Sequence, residues 1–250
     1  MTKSPKISII TVVYNAQAFI EKTIVSVIYQ TYKNIEFIII DGASTDNTIS
    51  IINTYKSHVH QFISEKDKGI YDAMNKGLKA ATGDYVLFLN AGDELYANST
   101  LELIFSSNNT ADVYYGNTAV VDAKGLILAD RRLSPPEHLT WKSLKMGMCV
   151  SHQSFIAKRL LCDFYDTNFK IAADIDWVIK VLKQADVVVN THQYVSKFLV
   201  GGTSAKRRKK ALLERFSILS KHYGFIPTLL NHIFIFFRFF VHLFSKKSMT

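Results

Sequence analysis

Three stretches of this chain, KISIITVV (6–13), IEFIII (35–40) and YVLFL (85–89), are apolar almost without a break. A strand that alternates polar and apolar side chains can lie on a surface. One that does not must be covered on both faces, as in a parallel sheet wrapped by helices. Between these runs, apolar residues recur at helical spacing. They mark Phe19 to Gln30, a helix through Ile49, Ile51 and Ile52 capped by Ser44, Thr45 or Asp46, and Ile70 to Ala81. With a weaker strand at Val59 to Ser64, the order is strand-helix-strand-helix-strand-helix-strand. That order predicts an α/β fold with a mostly parallel central sheet flanked by helices. Ligands of such sheets lie beyond the carboxyl ends of the strands.

The second half is less regular. Leu101 to Phe105 and Ala172 to Lys183 read as helices, Val113 to Thr118 and Val187 to Val189 as strands, and Gly201-Gly202-Thr203-Ser204 as a turn. No repeat or clean linker interrupts residues 1–205, which read as one domain followed by a tail, 206–250. Hydrophobic residues make up 48% of 250 and charged ones 20%, so a sizeable core is available and disorder is excluded. The formal charge of +9 invites a nucleic-acid partner. Its excess, however, gathers at KRRKK (206–210) and at Lys246 and Lys247, with no aromatic-interleaved groove or recognition motif. The first residues do not read as a secretory signal, and Cys149 and Cys162 suit neither a disulfide framework nor a metal site, so a reducing compartment is expected.

Polar groups gather at three strand ends: Thr11 with Asn15, Asp41 with Asp46, and Asn90 with Asp93 and Glu94. In the predicted sheet they converge on one edge. Asp41 is placed to accept hydrogen bonds from a base or sugar hydroxyl. Asp93, with Glu94 beside it, is placed to hold a divalent cation, since Mg2+ and Mn2+ prefer oxygen ligands. One carboxylate implies that the substrate supplies most other ligands, as a diphosphate would. For any single residue, simple strand termination explains an Asp or Asn equally well. Neither a dinucleotide fingerprint nor a P-loop is present.

IITVVYNAQAFIEKTIVSVIYQTYKNIEFIIIDGASTDNT (9–48) resembles the opening signature of family 2 glycosyltransferases, the inverting GT-A enzymes. EKDKGIYDAMNKGLKAATGDYVLFLNAGDEL (65–95) is similar to the next family segment, HQSFIAKRLL and FKIAADIDWVIKVLKQ to the acceptor-side half, and FLVGGTSAK to the segment closing the catalytic domain. The resemblance implies a GT-A fold, with a nucleotide-sugar half at about 1–95 and an acceptor half at about 96–205, most like bacterial enzymes of polysaccharide or lipid-linked oligosaccharide synthesis. By the same resemblance, Thr11, Val13 and Asn15 lie beside the nucleotide, Asp41 reads its base and Asp46 supports that loop. Asn90-Ala91-Gly92-Asp93 occupies the family's DxD-type turn, with Asp93 contacting Mn2+ or Mg2+. The chain departs from the pattern at Asn90 and Gly92, and at Met74, where many members carry an arginine. Asp174 matches the catalytic base, with Asp176 as the alternative, since residues two apart do not share a helix face. His152 is implied as a substrate or phosphate contact.

The implied chemistry is single displacement with inversion. A cation neutralises the departing nucleoside diphosphate, and a carboxylate takes the proton of the acceptor hydroxyl. A nucleotidyltransferase is the runner-up, but it would want a basic, Gly-rich loop near the first strand, and TVVYNAQAF is not one. A non-catalytic membrane scaffold is the third reading. In the tail, Thr228, Asn231, His232, Arg238, His242 and Ser245 fall on one helical side, with Ile233, Phe236, Phe237, Phe240 and Phe244 mainly on the other. This pattern predicts a helix lying in the membrane interface, with flanking Lys and Arg drawn to anionic lipid. A true span and packing on protein, including a second subunit in a homo-oligomer, are the alternatives. The expected partners are therefore a nucleotide sugar, a lipid-linked glycan acceptor and the cytoplasmic membrane face, with no nucleic acid.

Overall fold

The computed structural model describes residues 4–106, 110–131, 133–201 and 207–235. β1 (Ile7–Val13), β2 (Ile35–Asp41), β3 (Gln61–Ser64) and β4 (Tyr85–Phe88) lie in the order β3-β2-β1-β4, all parallel. The helices between them are α1 (Ile20–Ile28), α2 (Thr48–Thr54) and α3 (Ile70–Ala80). All seven residues of β1 are buried, as unbroken apolar runs require.

Beyond β4 the sheet changes character. β5 (Glu94–Leu95), α4 (Thr100–Phe105), β6 (Val113–Val121), β7 (Ile127–Asp130), β8 (Phe155–Lys158), α5 (Ala173–Gln184) and β9 (Val188–Leu199) complete it in the order β4-β8-β6-β9-β5, with β7 on the side of β6. β6 and β9 run parallel, but β4–β8, β6–β8, β6–β7 and β5–β9 are antiparallel. The expected mostly parallel sheet is therefore corrected to a mixed and strongly curled one. The physical reason is β8, which enters the sheet antiparallel to both β4 and β6, with β5 and β7 adding antiparallel strands beyond it.

Two cores cover the faces. One, around Ile10, Phe88, Met74, Phe155 and Trp177, lies under α3 and α5; the other, around Ile9, Ile24, Leu87, Leu101 and Ile156, lies under α1 and α4. α6 (Arg208–Tyr223) joins the first core through Ile218 and Leu219, and Tyr223 stacks on Trp141 with ring centroids 5.5 Å apart. Residues 225–235 are helical. Phe236, Phe237, Arg238, Phe240, His242, Phe244, Ser245, Lys246 and Lys247, with the turn residues Gly202, Thr203 and Ser204 and with Lys206, lie outside the described residues.

Candidate active site

β2 ends on Asp41, fully buried, whose Oδ2 accepts from the Ser44 N–H at 3.0 Å and the Ser64 hydroxyl at 2.7 Å. Oδ1 takes the Ser44 hydroxyl and, with one donor, keeps a lone pair for another. Asn15 sits at φ 46, donates its N–H to Ser44 Oγ at 2.8 Å and accepts the Thr45 N–H on Oδ1 at 2.8 Å. The turns after β1 and β2 are thus laced into one surface. Asp46 holds that surface to α1 and α2 by accepting the Thr48 N–H at 3.0 Å and the Gln17 N–H at 3.2 Å. Thr11 and Val13 are buried within β1; the Thr11 hydroxyl donates to Leu89 O at 2.7 Å, and Val13 is the register partner of Asp41. Asp67 lies over Gly42, where a Cβ would meet its Oδ2 at 2.4 Å and turn that carboxylate aside.

The turn after β4 is pinned from α1. Thr23 Oγ1 accepts the Gly92 N–H at 2.9 Å and donates to Asp93 O at 2.7 Å. Gly92 takes φ 101, a conformation that L side chains resist, which accounts for glycine where the resemblance leads one to expect an acid. Against this turn packs a short 3-10 turn, His152–Ser154, whose three consecutive side chains reach three different places. His152 Nε2 faces Asn90 Nδ2 at 3.2 Å, and its Nδ1 faces Asp174 Oδ2 at 3.6 Å. Gln153 donates its amide to Asp93 Oδ2 at 2.6 Å. The Ser154 hydroxyl meets those of Thr118 and Ser196, each at 2.7 Å. With the Asn90 amide as donor to Nε2, the imidazole proton rests on Nδ1, facing Asp174.

Asp174 stands in the first turn of α5, where the positive helix end favours a carboxylate. Its Oδ1 accepts the Ile175 N–H at 3.0 Å and the Tyr71 hydroxyl at 3.3 Å. Tyr71 is itself fixed by stacking on Tyr165, which stacks in turn on Trp177. Oδ2 takes no hydrogen bond of normal length from the described residues, and 24% of the side chain stays exposed. Burial pushes the carboxyl up, but His152 and the Arg215 charge outweigh it and hold the group below its ordinary range. Asp176 is placed elsewhere. It is buried in the contact with α6, with Oδ1 on His222 Nε2 at 2.7 Å and Oδ2 on Lys180 Nζ at 2.6 Å.

The sequence pattern of Glycosyl transferase family 2 matches residues 8–162. The chain belongs to this family. A glycosyltransferase of Haemophilus influenzae is 31% identical over 227 residues, covering 87% of this chain and 88% of the relative. Among solved structures, S. aureus TarS 1–349 in complex with UDP superposes with a TM-score of 0.67 at 20% identity, covering 86% of this chain and 64% of that one, so the chain spans less than two thirds of TarS 1–349. The mannosyltransferase PcManGT of Pyrobaculum calidifontis, in complex with GDP-Man and Mn2+, superposes with a TM-score of 0.63 at 18% identity, covering 92% and 74%.

In this family 2 glycosyltransferase Asp93, the residue expected to hold a cation, does not present an open carboxylate. Asp93 has one oxygen on Gln153 and the other on the Leu199 N–H at 3.1 Å, and burial raises its carboxyl to about 6 despite those bonds. Glu94 opens β5 and faces Lys197 Nζ at 3.8 Å. The free oxygen of the turn is Asn90 Oδ1, buried and without a partner among the described residues. Those residues also contain no cluster of three His, Cys, Asp or Glu fit to hold a metal. One neutral oxygen is a poor site for Mn2+ or Mg2+. Accordingly, about 1 mM MnCl2 without nucleotide is expected to leave the melting temperature within about 1 °C of the metal-free protein, since a ligand stabilises only what it binds. A rise of several degrees would mean that Asp93 releases Gln153 to take the ion.

Three residues of the site have weak sequence signals. Gln153 shows only as the neighbour of His152 in the HQ pair. Tyr71 reads as an ordinary apolar position of α3. Arg131, whose Nη1 is buried without a partner among the described residues and whose charge acts on Asp174, lies in a loop-edge RR pair that resembles a solvated charge.

Proposed function

We propose that this glycosyltransferase moves a sugar from a nucleoside diphosphate donor, UDP-linked in preference to GDP- or dTDP-linked, onto a hydroxyl of a lipid-linked glycan or polysaccharide precursor. The observation that carries the reading is Asp174 Oδ2, the uncommitted oxygen of a carboxylate whose other oxygen is fixed. The acceptor oxygen attacks the anomeric carbon as its proton passes to Oδ2. The bond from that carbon to the diphosphate oxygen breaks, and the nucleoside diphosphate leaves with the electron pair, so the configuration inverts. His152, held by Asn90, orients the base and the sugar between the donor turn and α5. Arg131 supplies buried positive charge on this side. The UDP complex of TarS and the GDP-Man complex of PcManGT support a nucleotide-sugar donor over a nucleoside triphosphate. Any Mn2+ or Mg2+ would arrive on the donor's diphosphate.

The tail supports a working place at a lipid surface. In residues 225–235 the polar side faces protein: Thr228 is buried, Asn231 Nδ2 donates to Lys145 O at 3.4 Å, and His232 packs edge-on against Phe216. The apolar side, Phe225, Ile226, Leu229, Leu230 and Ile233, is exposed. Arg207, Lys209 and Lys210 are exposed nearby in the chain. No helix among the described residues is long and apolar enough to cross a membrane. An apolar strip, with basic residues exposed at the start of α6, suits peripheral docking on anionic lipid at the cytoplasmic face.

The test is nucleotide-sugar turnover by full-length protein with bacterial membrane lipid extract, screening UDP-, GDP- and dTDP-sugars, with Asp174→Asn beside the wild type. Release of nucleotide from one donor, lost in the variant, supports the assignment. Turnover undiminished in Asp174→Asn would remove the base, and absence of binding by every donor would move the scaffold reading ahead.

A further inference from the structure

α5 begins without a cap of its own. Ala172 precedes it and offers no side-chain acceptor, so the amides leading into the helix need one from outside. They find it 40 or more residues later in α6. Glu214 Oε1 accepts the Lys170 N–H at 3.0 Å, and Oε2 accepts those of Ile171 at 2.8 Å and Ala172 at 3.1 Å. Three hydrogen bonds to one carboxylate at a positive helix end are charge-assisted and directional, which fixes the backbone more tightly than a neutral cap would. Asp174 follows two residues on. The same helix grips that first turn of α5 through His222 on Asp176, with Lys183 Nζ at 3.1 Å from His222 Nδ1 orienting the ring. The segment that carries Asp174 is thus held from α6 on either side, while Asp174 Oδ1 takes the Ile175 N–H from its own turn and the Tyr71 hydroxyl from α3.

We infer that Glu214 is a positioning residue for the transfer reaction: by holding the backbone of residues 170–172 it sets where Asp174 Oδ2 meets the acceptor hydroxyl. The inference rests on Asp174 being the base. It makes α6, which reads in the sequence as the start of a membrane tail, a part of the acceptor side of the active site. Its consequence is selective. Donor binding depends on the turns after β1, β2 and β4, which Glu214 does not touch, so only the chemical step should suffer when it is lost.

The experiment compares wild type, Glu214→Ala, Glu214→Gln, Asp174→Asn and the double variant Glu214→Ala/Asp174→Asn as full-length proteins. The readouts are kcat and donor KM with membrane lipid extract as acceptor, and UDP or GDP affinity by calorimetry. Glu214→Ala is expected to lower kcat on the order of ten- to a hundredfold, as displacement of a reacting group by about 1 Å does. Donor KM and nucleotide affinity should stay within about twofold of wild type, as chemistry-only losses do. Glu214→Gln, which keeps one acceptor oxygen, should fall between, and it keeps the test alive if the alanine variant does not fold. In the Asp174→Asn background, Glu214→Ala should cost nothing further. Wild-type kcat in Glu214→Ala alongside a crippled Asp174→Asn would overturn the positioning role and leave the base standing. A multiplicative loss in the double variant would also overturn it. Full activity of Asp174→Asn would instead overturn the base and this inference with it.

Discussion

Asp174→Asn is expected to lower kcat by about a thousandfold, within the range that a positioned general base contributes, while leaving the donor KM and the melting temperature near wild type. The asparagine keeps the volume and the oxygen that accepts from Ile175 and Tyr71, so the first turn of α5 survives. What it loses is the second oxygen, the one facing His152 at 3.6 Å. The pH dependence follows from the same group. His152 and Arg215 hold the Asp174 carboxyl below its ordinary range against the opposing push of burial. The acid limb of kcat/KM in the wild type should therefore lie below the usual carboxylate range, with the base ionised throughout neutral pH. A rate profile that falls off well above that range, or a variant that retains a tenth or more of kcat, would place the base elsewhere.

The largest effect on stability is expected at Asp176. Asp176→Ala should destabilise the protein by about 1–3 kcal/mol, the cost of leaving the buried His222 N–H without its acceptor while Lys180, 29% exposed, turns to water. The side chain is 1% exposed, and its loss leaves Lys180 and His222 without their carboxylate. Chemical denaturation measures the change directly, and a loss under about 1 kcal/mol would mean that water replaces the carboxylate at little cost. The acid side carries a further signature. Burial raises the Asp176 carboxyl, but its bonds to His222 and Lys180 more than offset that and bring it down to about 2. A carboxyl whose folded value lies below its unfolded one, about 4, contributes stability that is present above the unfolded value. That contribution is lost as pH falls through about 2. Asp176→Asn should flatten the stability curve across that window, and His222→Ala should mimic part of the loss.

The two aspartates also show how far sequence reasoning reaches. Their spacing established that they could not share a helix face, and that Asp174 and Asp176 would have separate duties. It could not say that the partner of Asp176 would be His222, 46 positions later, because nothing local marks a histidine in a tail helix as the answer to a buried charge. Glu214 hides for the same reason inside ALLERFSIL, where it reads as one polar position of an amphipathic helix. β1, β2 and β4 were legible because each is apolar on both faces, and the weaker β3 because it follows its neighbours closely in the chain. β8 was not, being four residues long, FIAK, with its pairing determined by strands distant in sequence. β7 is exposed throughout, and its apolar run ILA is too short to mark a strand. In β9 the buried pair Val195-Ser196 is surrounded by partly exposed positions, so twelve residues of strand look like three. The mixed sheet follows from these weak strands, and apolar periodicity cannot reveal the direction in which a late strand returns.

The return of β8 has a consequence for how the chain is made. Strands β3, β2, β1 and β4 can assemble as soon as residue 88 has left the ribosome, but β4 waits for residues 155–158 before its second edge is paired. For the synthesis of nearly seventy intervening residues, a strand reading YVLF, buried at every position in the finished protein, has an unpaired edge. Unpaired apolar edges recruit other chains. The nascent protein is therefore most prone to association in mid-synthesis, and the strand that covers this edge is also the one that draws the His152 turn onto the end of β4.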